Sequence, residues 1–411
     1  MADPAAEITA PTNCRWLTRG VAGIGGASFL ADLGHEVPTA LLPSFLASTL
    51  GAPASALGLI EGIADGCAGA ARFVGGGLAD DPERRRRSAL GGYSATAVLS
   101  SLIGVTTAAW QVGVLRAGAW SARGLRVPAR NALLADVVPA GAYGRAYGFE
   151  RSMDNLGAIG GPLLALALVA LVGTRTAILL SVIPGLLAAL AILYAIHGTR
   201  RPTEQHRQPL RFHLRAVLQG RLKRIFFGIS AFEIGNVAAT LLILRATELL
   251  TPDHGHDAAT KIALGLYIAY NAAAAIFSVP GGHLGDKTSS LGVLGIGVGC
   301  FAAAYLCFAF VGSSIALLAA GFVVAGIAIG FVETAEHAVV AEDAPTALRG
   351  SAFGALATAQ AFGNFAASSV AGILWTTVSP RVAFIYLTVW MLLALLALSG
   401  VRRGSMPSLR T

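Results

Sequence analysis

Asp32, His35 and Glu36 stand three and four residues apart in a stretch that is otherwise apolar. If that stretch is helical, the spacing puts all three on one face, with Thr39 continuing it. A carboxylate can carry a proton when burial makes its neutral form accessible, and an imidazole titrates near neutrality unaided. This face is therefore a candidate proton site. A second set, Arg116, Arg123, Arg126 and Arg130, is spaced by seven, three and four residues and makes one stripe. Arginine cannot shed its charge, so the stripe must be solvated, paired or aimed at an anion. Glu333, Glu336 and His337 repeat the one-face pattern further on, and Glu233 with Asn236 stand in another apolar run. Asn271, Gln360 and Asn364 can hydrogen-bond a solute, although polar links between helices are their commoner role. These residues divide into a proton-coupling set (Asp32, His35, Glu36, Glu233, Glu333) and a substrate set (Arg123, Arg126, Asn236, Asn271, Glu336, His337, Gln360, Asn364).

The other charges in apolar stretches read as pairs. Arg130 is expected to meet Asp136, Arg151 to meet Asp154 at i,i+3, and Arg245 to meet Glu248, while Glu61, Asp65 and Arg72 suggest a structural ladder. Asp253-His254-Gly255-His256-Asp257 has metal-ligand types in what reads as a solvated loop. A metal site made of Asp32 and His35 with Glu336 and His337 is the alternative use of the charged faces. Cys67, Cys300 and Cys307 lie in apolar segments, Cys14 does not, and no CxxC spacing occurs, so the cysteines form neither a disulfide set nor a metal site. There is no phosphate-binding Gly-rich loop with its lysine, no nucleophile–base constellation of an enzyme, and no nucleic-acid-binding motif. No cofactor is implied.

Such residues need elements to position them in a chain that is 55% hydrophobic and 13% charged, with mean hydropathy +0.67. Soluble domains carry about 25% charged residues, so this surface faces lipid. A membrane-crossing helix needs about 20 mostly apolar residues. Apolar runs fall near 20–48, 54–78, 88–108, 111–136, 146–172 and 174–196, then near 223–250, 260–284, 290–311, 313–340, 350–376 and 380–400. That predicts an all-α membrane fold of twelve spans, in two six-helix halves (20–196 and 223–400). A basic linker (197–222) joins them, and tails (1–19 and 401–411) flank them. Twenty of the thirty lysines and arginines lie at the two ends and in the even-numbered connections. The opposite loops hold only Arg175, Lys261 and Arg381. The bias places both termini and the linker in the cytoplasm, in a multi-pass protein of the cytoplasmic membrane. The +8 net charge then faces membrane lipid headgroups rather than nucleic acid.

The halves repeat each other. Gly75-Gly76-Gly77-Leu78-Ala79-Asp80 returns as Pro280-Gly281-Gly282-His283-Leu284-Gly285-Asp286, and the same offset of 206 aligns Asp136 with Glu342, Gly144 with Gly350, and Tyr147-Gly148 with Phe353-Gly354. Together with the basic run Arg84 to Arg87 after Asp80, this organisation resembles the major facilitator superfamily over nearly the whole chain. The resemblance implies a central cavity between two rocking halves, lined by the first, fourth, seventh and tenth helices. It also implies gating by Asp80, Arg130, Asp136, Arg145, Arg151, Asp154 and Asp286. Gly157-Ala158-Ile159-Gly160-Gly161-Pro162 resembles the GxxxGP element of members that exchange solute against protons, and Gly124 to Arg130 resembles a Gly–basic–Pro–Arg pattern of a bacterial subset. The implied function is a monomeric, proton-gradient-driven exporter of a small organic compound, anionic if the arginine stripe binds it. An anion competing for the same arginine is expected to exclude the proton. The alternatives are export of a divalent metal or metallophore, and a non-transporting sensor on the same fold.

Overall fold

The computed structural model describes residues 16–197 and 214–403. The tail residues 1–15 and 404–411 and the linker residues 198–213, which include Cys14, Arg15, Arg410 and most of the basic linker, lie outside the described residues. The described chain is helical throughout, without strands. It runs α1 (Arg19–Ser44), α2 (Ala54–Ala79), α3 (Pro82–Leu102), α4 (Ala109–Val137), α5 (Tyr143–Leu180), α6 (Val182–His197), a one-turn α7 (Leu214–Val217), α8 (Gly220–Gly235), α9 (Ala239–His254), α10 (His256–Lys287), α11 (Ser290–Phe310), α12 (Ile315–Asp343), α13 (Arg349–Thr377) and α14 (Pro380–Arg403). Starts are set by local chemistry. The Thr18 hydroxyl accepts from Val21 N and Ser289 caps α11, while Asp81 accepts from Glu83 N and Arg84 N with Pro82 at the first turn of α3.

Among the described residues, seven helices are long and apolar enough to cross a membrane. The helices outside that set include α1, α2, α4 and α13, which carry the acids, the arginines and the amides of interest. Large apolar side chains such as Leu171, Leu166 and Phe227 are mostly exposed, as lipid contact requires.

Small residues let the helices touch. A Cβ at Gly157 of α5 would stand 2.8 Å from the Asp32 Cβ, and Gly161 abuts Glu36. The expected GxxxGP segment is thus the surface on which the acidic face of α1 rests. Residues of α6 meet α1 in the reverse order, Gly185 against Gly34 and Ala195 against Gly23, because the chain turns at Gly173, where φ is +76°. That turn separates the fifth and sixth spans where the sequence breaks them. The seventh span, expected to be continuous, is instead broken at 236–238 between α8 and α9. Side chains satisfy the exposed backbone there: Asn364 donates to Asn236 O, while Val237 N and Ala238 N donate to Tyr305 Oη and Ser368 Oγ. The 252–257 segment is helical apart from Gly255 rather than a long loop.

Candidate solute cavity and gate

The halves meet where α2 crosses α13 and α5 crosses α10, both near the face that carries the described chain ends. There Gly76 and Gly354 approach so closely that a Cβ on Gly76 would lie 2.7 Å from the Gly354 Cα. Next to this crossing, Asp80 accepts from Ser351 N at 2.8 Å and from its hydroxyl. At the other crossing, Asp286 accepts from Gly144 N (2.7 Å), Arg145 N (3.1 Å) and Arg145 Nε (2.7 Å). Ser351 is the third residue of α13, and Gly144 and Arg145 are the second and third of α5. Each aspartate therefore caps a helix of the other half, and meets the positive end of that helix's dipole. Arg349 Nη2 adds a 2.6 Å bond to Tyr143 Oη across the same seam.

Beyond this seam lies a cavity of about 910 Å³. It is lined by Asp32, Arg123, Arg126, Arg130, Arg151, Asp154, Glu233, Asn236, Glu333, His337, Gln360 and Asn364 among the residues expected from sequence. Gly62, Gly66 and Gly69 of α2 also line it, and no atom lies within 4 Å of the space a Cβ would take on them. The hydrogen bonds of the seam hold the two halves together on the terminus face.

The floor is an ion network. Arg130 reaches Glu150 at 2.7 Å and Asp154 at 3.5 Å, and Arg151 reaches Glu150 at 2.7 Å and Asp154 at 3.2 Å. Ser28 Oγ donates to Glu150 at 2.6 Å. Arg151 also lies 3.9 Å from Glu333 of α12, a link between the halves. Glu150 is the buried hub, 1% exposed, and it is not among the expected residues. Its one sequence signal is adjacency to Arg151, and neighbours in sequence do not share a helix face.

Arg130 therefore does not pair with Asp136. Asp136 lies outside the cavity, bonded to Arg85 and 3.8 Å from Arg349, because Arg130 faces inward where Glu150 and Asp154 supply closer charge.

On the wall, Asp32 is 3.9 Å from Arg123 and 3.4 Å from His35 Nδ1. His35 does not line the cavity. It is 3% exposed, its Nδ1 lies 2.8 Å from Ala31 O, its Nε2 is 3.4 Å from Glu36, and its ring is edge-on to Trp120. Glu36 is likewise set back, against Gly161. Arg116, Glu61 and Thr39 form a separate cluster, with Arg116 3.4 Å above the Trp120 ring and 3.0 Å from Glu61. The ladder expected on α2 does not form: Glu61 joins Arg116, Asp65 accepts from Trp120 Nε1, and Arg72 projects into the cavity. Arg245 and Glu248 do not pair either. Arg245 donates to Phe308 O, and Glu248 accepts from Trp375 Nε1.

Two expected substrate residues lie elsewhere. Asn271 is buried and donates to Tyr267 O of its own helix. Glu336 is fully buried behind the wall, with Gln360 donating to it at 2.9 Å. Phe362, Phe365 and Ser368 line the cavity and were not singled out by the sequence. Nothing brings Asp32 and His35 to Glu336 and His337, whose ring stacks between Tyr147 and Phe353. Among the described residues no three His, Cys, Asp or Glu side chains are placed to hold a metal ion.

Comparisons with known proteins agree with this architecture. The family model for the Major Facilitator Superfamily matches residues 24–246 and again 227–409. An uncharacterized MFS-type transporter of Methanocaldococcus jannaschii is 27% identical over 378 residues, which is 91% of this chain and 92% of the relative. An uncharacterized protein of Mycobacterium tuberculosis is 28% identical over 357 residues, 85% of this chain and 84% of the relative. Two solved structures share the fold. The transporter FucP in the outward conformation superposes with TM-score 0.71 at 15% identity, covering 93% of this chain and 98% of its own. The human organic anion transporter MFSD10 (TETRAN) gives 0.65 at 17%, covering 92% and 99%.

Proposed function

The chain belongs to the Major Facilitator Superfamily, and on that premise we propose that it is a proton-coupled secondary transporter of a small organic solute with an anionic group. Alternating access would present the inter-half cavity to each side of the membrane in turn. The observation that carries the reading is the combination of a roomy cavity lined by permanent cations and protonatable acids with a seam of hydrogen bonds closing one end. A structural scaffold has no use for either feature.

In this reading α1 to α6, the broken α8–α9 pair and α10 to α14 make twelve crossings of the cytoplasmic membrane in a monomer. The termini and the closed seam are cytoplasmic, as the basic residues suggest, so the conformer is outward-open. The Gly157–Pro162 element rests against Asp32 and Glu36, which supports a part in proton exchange. Export would follow if solute and proton exclude each other, and uptake if they bind together. A metal cargo has no donor group among the described residues to support it.

Flux of aryl and alkyl carboxylates and sulfonates into proteoliposomes, with an imposed pH gradient of either sign, tests the proposal. Gradient-driven movement that Arg123→Gln abolishes is the expected result. Equal flux in protein-free vesicles, or movement of organic cations alone, would sink the anionic reading.

A further inference from the structure

Building on the anionic-solute reading, we propose that Arg72 of α2 and Arg123 of α4 clamp the solute's anionic head group, and that the head group takes Asp32's place on Arg123 and brings a proton onto Asp32. Solute and proton would then bind together rather than exclude each other.

Arginines crowd one wall. Arg72, Arg123 and Arg126 all line the cavity, and no ion pair within 4 Å is seen for Arg72 or Arg126 among the described residues. Asp65 and Glu233 line the same cavity as Arg72 and Arg123, and neither makes an ion pair with Arg72 within 4 Å. Arg126 is 2% exposed, stacks 4.1 Å above the Tyr93 ring, and has Arg123 and Arg130 as cationic neighbours. Its Nε has no hydrogen-bond partner. Like charges gathered on one cavity wall repel, and the remedy is an anion shared between them. On α13, the helix of the other half that crosses α2, Phe362 and Phe365 line the cavity and stand mostly exposed, with Asn236 and Asn364 beside them. A head group on Arg72 and Arg123 thus leaves an apolar body lying on the other half, so the fitting solute is an amphipathic organic anion.

The coupling follows from what surrounds Asp32. Its own helix presents His35 and Glu36, α4 presents Arg123 and Arg126, α5 presents Asp154, and Arg72 of α2 lines the same cavity. The Arg123 contact at 3.9 Å is long for a salt bridge and open to exchange. When an anion occupies Arg123, Asp32 loses a cation and gains a negative neighbour, and both changes favour its protonated form. The step is one proton moving from water in the open cavity to the Asp32 carboxylate, with no other bond made or broken. By reciprocity, protonating Asp32 strengthens anion binding by the same factor. The mutual exclusion expected from sequence holds for a cation competing for Asp32. For an anion the sign is opposite, and an inward proton gradient would drive uptake.

The test uses purified full-length protein and a series of aryl and alkyl sulfonates, which stay ionised at every working pH, with alkylamines of matched length as controls for micelle partitioning. Binding is read by thermal shift and calorimetry, and proton exchange by an indicator dye in weak buffer. Expected is net proton uptake on sulfonate binding by the wild type, with affinity falling by up to about tenfold per pH unit wherever that uptake is seen. Asp32→Asn should bind sulfonates without pH dependence, near the wild-type affinity at low pH. Arg72→Gln should weaken binding about tenfold or more. Proton release, or affinity independent of pH in the wild type, would overturn the co-binding while leaving an anionic solute standing. Stabilisation by the amines and not by the sulfonates would overturn both.

Discussion

Asp286 caps a helix in the opposite half across the seam, so its removal should loosen the seam by an amount that can be worked out. Its carboxylate takes two backbone N–H groups at the start of α5 and the Arg145 guanidinium, and its side chain is 4% exposed against 26% for Arg145. Losing an N-cap costs about 1 kcal/mol. The ion pair sits at the edge of the seam, where water screens it, and is worth at most about 1 kcal/mol. Asp286→Ala should therefore shift the ratio of closed to open seam by roughly 2 kcal/mol, or about 30-fold at 1.4 kcal/mol per decade. Asparagine keeps one carbonyl to cap the helix but loses the charge, so Asp286→Asn should shift it by about 1 kcal/mol, roughly fivefold. The assay is the distance distribution between spin labels at Arg87→Cys and Thr288→Cys, one in each half on the terminus face, with the native cysteines replaced by serine. A longer-distance population should grow in the order wild type, Asp286→Asn, Asp286→Ala. Equal populations in all three would refute the capping argument. An equal shift in the two variants would mean that the charge alone holds the seam.

The counterpart Asp80→Asn loses the charge but keeps an acceptor for Ser351 N, so turnover should change by several-fold while the apparent affinity for solute stays put, as transport kinetics in vesicles would show. Glu150→Gln leaves the buried Arg130 and Arg151 with less counter-charge, and should lower stability by about 3 kcal/mol in detergent unfolding, since breaking a buried pair costs several kcal/mol. For orientation, Ala258→Cys and Thr288→Cys are both exposed but lie on opposite faces; an impermeant thiol reagent on intact cells should modify only Ala258→Cys.

The fold was legible because lipid leaves few choices. Apolar runs of spanning length, the 206-residue repeat and the basic bias are all properties of the chain that need no partner. The Arg151–Asp154 contact was legible for the same reason, since i,i+3 spacing decides it within one helix. Pairings between helices were not. Arg130 meets Glu150 instead of Asp136, and Glu61 meets Arg116 instead of Arg72, because helix rotation fixes these partners and the sequence of one helix does not encode it. The acidic face of α1 shows the limit best. Spacing correctly gathers Asp32, His35 and Glu36, yet only Asp32 reaches the cavity. Gly157 and Gly161 draw α5 against this face, and His35 turns towards Trp120. The break at 236–238 escaped too, since Asn236-Val237-Ala238 is no strong helix breaker alone. Ser368, Tyr305 and Asn364, all distant in sequence, supply its hydrogen bonds.

The repeat also separates what holds the protein from what works in it. Adding 206 and exchanging the halves turns the Asp80–Ser351 contact into Asp286–Arg145, and Gly76 against Gly350 into Gly282 against Gly144. Tyr143 bonds its own image Arg349, and Tyr147 packs on its own image Phe353 at 5.8 Å. The seam is thus a nearly two-fold interface, in which each of these contacts is made twice by equivalent residues. In the cavity the symmetry fails. The images of Arg130, Arg151, Asp154 and Arg72 are Glu336, Ala357, Gln360 and Ser278, so permanent positive charge lies in the first half alone. A symmetric seam lets both crossings yield together when the halves rock. In the proposed reading, an asymmetric cavity would hold the polar and apolar ends of the solute on different halves, so that a ligand spanning the two would act on their relative position.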